Sequence, residues 1–201
     1  MQAKSPDEVS ADWVFAYGSL IWNPDFPFRR ATPARLYGYH RAFCIRSTRY
    51  RGTPEQPGVV LGLDRGGVCL GLAYELHPES RDEALARLFS REVPNWAERV
   101  YRPTQVSIRL ADGDRATALA FVAERSSRSY HRLSDTQLLE TLCRCAGERG
   151  PNRDYAINTW EALRRHNIHD ARLARLAELI GHHRSEPDAS GSTEAPRRPG
   201  L

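Results

Sequence analysis

Lysine is almost missing from this chain. Lys4 stands alone beside 28 arginines, within 29 basic and 25 acidic residues that give a net charge of +4. The imbalance fits either a compositional bias or many sites for planar contacts to carboxylates and phosphates. Long apolar runs are missing too. Nothing approaches the ~18 residues of a membrane span, and residues 1–9 lack the charged-then-apolar plan of a secretory leader. The four cysteines, Cys44, Cys69, Cys143 and Cys145, have neither zinc-site nor CxxC spacing. Reduced thiols in a cytoplasmic setting are the simplest expectation. No GxSxG, GxxxxGK[ST] or HExxH is present, and the seven histidines form no convincing metal set. Segment 26–54 holds seven arginines and no acid but no groove-reading motif, so nucleic acid is not the expected partner.

What is present has a clear order. Both ends, 1–11 and 184–201, are polar and unpatterned and are expected to be disordered, which leaves a folded unit at 12–183. Strands are expected at 13–17, 41–47, 59–64, 68–76, 104–110 and 117–123, with hairpin turns at Gly66-Gly67 and Asp112-Gly113. One helix, 79–92, interrupts them, with Leu85, Leu88 and Phe89 on one face and Pro94 forcing a stop by Val93. The last third is helical. Ser134 and Gln137 form a capping box, and further helices are expected at about 153–166 and 170–182. Strands first, one inserted helix, then helices imply an α+β fold, its mostly antiparallel sheet closing into a small barrel.

Three segments carry candidate chemistry. The run Tyr17-Gly18-Ser19-Leu20-Ile21-Trp22-Asn23-Pro24 is either an ordinary strand exit or a loop whose amides converge on an anion. Arg51-Gly52-Thr53-Pro54-Glu55-Gln56-Pro57-Gly58 is either a rigid connector or a loop offering Arg51 to a carboxylate. Glu92, at a helix C-terminus, faces the negative end of the macrodipole, which raises a carboxylate pKa towards that of a general base. Composition does not choose it over Glu55, Glu83 or Glu98.

These segments, with Gly38-Tyr39-His40-Arg41-Ala42-Phe43, Leu61-Gly62-Leu63-Asp64, Gly71-Leu72-Ala73-Tyr74, Tyr101, Gly150-Pro151-Asn152-Arg153-Asp154-Tyr155 and Asn167-Ile168-His169-Asp170, closely resemble the ChaC-type glutathione-specific γ-glutamylcyclotransferases. The likeness runs from Trp13 to about Leu179. Ala16 departs from the glycine often found there, and the stretch between Glu92 and Tyr101 varies in length within the family.

The resemblance implies cyclisation of the γ-glutamyl group of glutathione to 5-oxoproline with release of Cys-Gly. The substrate's own α-amine is the nucleophile, so no Ser-His or Cys-His pair is needed. It implies Glu92 as proton shuttle and Val14, Phe15, Ala16, Tyr17, Gly18, Ser19 and Leu20 as the segment holding the γ-glutamyl head. Tyr101, Tyr155 and Arg51 are further candidates for substrate contact, and no metal or organic cofactor is implied. Alternatives are a cyclotransferase for other γ-glutamyl amino acids or amines, and a non-catalytic regulator associated with cation transport. The local arginine excess beginning after the Tyr17–Leu20 loop is expected to steer an anionic substrate.

Overall fold

The computed structural model describes residues 10–93 and 96–183. The expected disorder of 1–11 and 184–201 therefore falls almost wholly outside the described residues. At the margin, Ala11 is buried and the Ser10 carbonyl accepts from Gln105 Nε2 at 3.0 Å.

Five strands close into a barrel in the order β1-β3-β2-β4-β5: β1 (Trp13–Ala16), β2 (Arg30–Ser47), β3 (Gly58–Glu75), β4 (Tyr101–Leu110) and β5 (Arg115–Ala123). The pairings are antiparallel except where β5 lies parallel to β1, at Trp13↔Ala118 and Val14↔Leu119, and to β3, at Leu63↔Val122. Alternating inward residues such as Leu36, Leu63, Leu72, Ile108, Leu119 and Phe121 fill the interior.

The hairpin expected at Gly66-Gly67 does not exist. Runs 59–64 and 68–76 are one strand, paired along its length with a β2 that starts at Arg30 rather than 41. Gly66 (φ 99°) and Gly67 (φ 73°) bulge from β3 beside Gly38 (φ 82°) in β2, where the register shifts between Tyr37 and Tyr39. Left-handed backbone on both strands at one level bends the ribbon instead of reversing it, which helps a barrel to close. The Asp112-Gly113 turn does join β4 to β5, with Gly113 at φ 98°.

Helix α1 (Arg81–Glu92) buries Ala84, Leu85, Leu88 and Phe89; the Phe89 ring meets Phe121 edge-on at 5.6 Å. It ends at Glu92, as the neighbouring proline requires. Helix α2 (Asp135–Arg144) begins with the complete Ser134–Gln137 capping box. A short hairpin, β6 (Ala146–Gly147) and β7 (Gly150–Pro151), separates it from α3 (Asn152–Arg165). Helix α4 (Ala171–His183) closes the helical layer. No helix of the described residues is long and apolar enough to cross a membrane.

Helix α3 is set against β3 by side chains acting as strand partners. Asn152 accepts from Val59 N at 2.7 Å and donates to Val59 O at 2.8 Å. One turn on, the Tyr155 hydroxyl accepts from Leu61 N at 3.3 Å. The two-residue step of the strand thus matches the three-residue step of the helix.

Candidate active site

The chain leaves β1 at Ala16 and enters a single 3₁₀ turn, Ser19–Ile21, whose carbonyls are all engaged. Tyr17 O accepts from Arg41 Nε, and Gly18 O accepts from Ile21 N at 3.0 Å. Ser19 O accepts from Asn23 N at 2.9 Å, and the Tyr74 hydroxyl donates to Leu20 O at 2.9 Å. The amides of Gly18, Ser19 and Leu20, by contrast, meet no acceptor among the described residues. Consecutive unsatisfied N–H groups on a fixed turn can receive a carboxylate or a developing oxyanion. Within the expected contact segment Val14–Leu20, these free amides all lie at its C-terminal end. Val14 is clamped in the ladder between β3 and β5, and Val14, Phe15 and Ala16 are fully buried, which leaves Tyr17–Leu20 to offer backbone groups.

Arg41 fixes this turn from behind. Besides Tyr17 O it donates to Leu70 O at 2.7 Å and forms an ion pair with Asp170, joining loop, barrel and C-terminal helices through one buried guanidinium. Arg91 holds it from the front. Its Nη1 donates to Asn23 O at 2.6 Å, its Nη2 to Ser19 Oγ at 2.9 Å, and its Nε lies 3.2 Å from Glu92 Oε1.

Glu92 is the last residue of α1, with a side chain only 16% exposed. Burial pushes its pKa above the ordinary carboxylate value, against the opposing pull of the Arg91 and Arg149 charges. Burial is thus the leading cause, ahead of the helix-end placement expected to raise it. Three tyrosines share its field. Tyr17 and Tyr101 are held far above the usual phenol range by burial first; Tyr101 and then Glu92 add to it at Tyr17, and Tyr155 and then Glu92 at Tyr101. Tyr155 is raised by burial and further by Glu92. All three are neutral donors at any working pH. Tyr17 donates to Phe121 O at 2.6 Å and Tyr101 to Leu61 O at 3.0 Å. The Tyr155 hydroxyl faces Gly18 so closely that a Cβ there would lie 3.0 Å from it. Burial, with Asp64 next, pushes the adjacent Cys44 thiol up to about 12, far from a working thiolate.

Arg51 is 6% exposed; it donates to Pro151 O at 3.1 Å and its guanidinium carbon sits 5.5 Å from the Tyr155 ring, so it is no open surface cation. The arginine-rich segment 26–54 is no open cationic face either. Arg29 and Arg30 pair with Glu75, Arg41 with Asp170 and Arg49 with Glu148, leaving Arg35, Arg46 and the buried Arg51 without ion pairs among the described residues. Arg91 escaped the sequence reading as a site residue, although its place beside Glu92 and seven residues after Ala84 marked it as an edge of the buried face. No group of three or more His, Cys, Asp or Glu residues that could hold a metal occurs among the described residues.

Comparison with known proteins places the chain in a family. A glutathione-specific γ-glutamylcyclotransferase of Escherichia coli (strain K12) is 36% identical over 172 residues, covering 85% of this chain and 73% of the relative. γ-Glutamylcyclotransferase 2-3 of Arabidopsis thaliana is 33% identical, covering 89% and 92%. The crystal structure of a yeast γ-glutamyl cyclotransferase specific to glutathione superposes with a TM-score of 0.77 at 21% identity, over 88% of this chain and 98% of that one; it carries the same fold. The ChaC-like protein family model matches residues 12–183, so the chain belongs to the ChaC-like family.

Proposed function

We propose that the protein is a glutathione-specific γ-glutamylcyclotransferase that converts glutathione to 5-oxoproline and Cys-Gly. The observation that carries this reading is a buried carboxylate, Glu92, raised in pKa and tied through Arg91 to a turn with three unsatisfied amides. The relatives named for the same activity support it across most of the chain.

In this reading the Gly18–Leu20 amides and the Tyr17, Tyr101 and Tyr155 hydroxyls surround the γ-glutamyl head. Glu92 takes a proton from the substrate's α-ammonium. The freed amine attacks the γ-carbonyl carbon, a C–N bond forms, and negative charge gathers on the carbonyl oxygen, where N–H donors are worth most. Collapse breaks the bond to the cysteine nitrogen, which takes the proton held by Glu92; the second proton, shed by the ring nitrogen as the lactam forms, follows through Glu92 to the same amine, so Cys-Gly departs as an ammonium. Every atom comes from the substrate, and both protons lost by its α-ammonium return to the leaving amine. Ring closure is intramolecular, so an effective molarity on the order of 10⁵ M replaces an enzyme nucleophile. Four free thiols suit the reducing cytoplasm that this substrate implies.

The test is release of 5-oxoproline from glutathione beside γ-glutamylalanine as competitor. Glutathione is expected to be the far better substrate; equal turnover of the two would replace glutathione specificity with a general cyclotransferase.

A further inference from the structure

The β6–β7 hairpin was not expected from the sequence, and its tip holds two charges with different fates. The hairpin is fastened to the 49–52 loop by Glu148 N to Arg49 O at 2.9 Å and Arg149 N to Tyr50 O at 3.0 Å. Glu148 is taken by Arg49 at 2.9 Å. Arg149 has no carboxylate partner among the described residues; its guanidinium carbon lies 4.0 Å from the centroid of Tyr50. Next to it, Gly150 faces Arg51 Nη1, and Arg51 in turn covers Tyr155, whose hydroxyl stands against Gly18. A continuous chain of contacts thus runs from Arg149 to the turn that offers its amides, and the Arg149 charge is felt at both Glu92 and Arg51.

A guanidinium held over an aromatic ring keeps its planar N–H fork available for a bidentate carboxylate, and the ring lowers the entropy lost on binding. Arg51 cannot do this, since it is buried on Pro151 O and Tyr155. A dipeptide leaving group carries its terminal carboxylate roughly 7 Å beyond the scissile amide, which calls for a cation at the pocket edge rather than at its floor. We infer that Arg149, seated on Tyr50 at the tip of the β6–β7 hairpin, binds the terminal carboxylate of the leaving dipeptide and so sets the preference for a tripeptide substrate. This rests on the cyclotransferase reading of the site.

The experiment measures 5-oxoproline release by the full chain from glutathione and from its glycine ethyl ester, for the parent, Arg149→Gln and Arg149→Lys. Folding of each variant is checked by circular dichroism. The parent is expected to favour the free carboxylate roughly 10- to 100-fold in kcat/KM, mainly through KM, as loss of a charge-assisted pair implies. In Arg149→Gln that ratio collapses towards one, and Arg149→Lys restores part of it. The inference is overturned if the parent treats acid and ester alike. It is equally overturned if Arg149→Gln loses the same factor on both substrates while its pH profile shifts, because Arg149 would then act only through Glu92. Failure of the cyclotransferase reading looks different: the parent would form 5-oxoproline from neither compound.

Discussion

Arg91 Nη2 donates to Ser19 Oγ at 2.9 Å, so the residue preceding the buried carboxylate is fastened to the turn whose amides are unsatisfied. The same guanidinium reaches Glu92 Oε1 through Nε. The proposed proton shuttle and the proposed oxyanion donors therefore share one connector, and a shift of either would be passed to the other. Preorganisation of this kind supports electrostatic stabilisation without reorganisation during reaction.

Glu92→Gln keeps the shape of the side chain and removes the base. Release of 5-oxoproline from glutathione is expected to fall at least about 10²- to 10⁴-fold, the usual worth of a positioned general base. Burial already disfavours the ionised form in the folded state, so thermal denaturation at neutral pH should show a melting temperature no lower than the parent's. Parental turnover in the folded variant would refute the role.

The raised pKa of Glu92 fixes the acid limb of the pH profile. The active form is the carboxylate, so kcat/KM should rise with pH through a midpoint above the ordinary carboxylate value. Arg91 and Arg149 both pull that pKa down. Arg149→Gln should accordingly move the midpoint upward by a small amount, on top of any loss of substrate binding. A midpoint at or below the ordinary value would show that another group limits the rate.

Gly18→Ala places a Cβ 3.0 Å from the Tyr155 hydroxyl and so disturbs the turn at its first free amide. The expected result is a loss of roughly 10²-fold in kcat, since a misplacement of 1 Å can cost that much. Tyr155→Phe in the same background removes the oxygen that the new methyl meets. Partial recovery of kcat in the double variant would identify the contact, and no recovery would locate the defect in the turn itself.

Asp64 is 2% exposed and receives hydrogen bonds from Arg125 Nε at 2.7 Å, Tyr130 Oη at 2.9 Å and Arg132 Nη2 at 3.3 Å. Burial alone would raise its pKa, but the hydrogen bonds from Arg125, Tyr130 and the Arg65 backbone N–H overcome it and hold the carboxyl well below its usual range. A depressed folded-state pKa gives stability that is complete above the unfolded value and is lost as pH falls through it towards the folded one. The arginines are solvent-accessible, so Asp64→Asn strands no buried charge and should cost only about 1–2 kcal/mol at pH 7, the worth of the lost charge-assisted hydrogen bonds. The gap between parent and variant in denaturant titrations should narrow as pH drops below about 4. A gap independent of pH would mean that packing, not charge, sets the cost.

Much of the fold was legible because its signals are local. Leu85, Leu88 and Phe89 sit at helical spacing, Ser134 and Gln137 complete a capping box, and Asp112-Gly113 turns a hairpin. Gly66-Gly67 misled because paired glycines mark a turn and a bulge equally well. Only the opposing Gly38 and continuous pairing with β2 select the bulge. The two-residue strands at Ala146–Gly147 and Gly150–Pro151 carry no periodicity, so the hairpin bearing Arg149 had no sequence signal.

The same division holds at the site. Sequence alone determined the order of classes, strands first, one inserted helix, then helices, located the Tyr17–Leu20 segment as a strand exit, and, through family resemblance, singled out Glu92 as the carboxylate of interest. Tertiary structure decided which arginine is buried and which is available, because Arg51 and Arg149 have the same chemistry and differ only in what surrounds them. It also decided the cause of the Glu92 shift. The tyrosines that share its field, Tyr17, Tyr101 and Tyr155, arrive from distant parts of the chain, and the low-dielectric surroundings of Glu92 exist only once the barrel has closed.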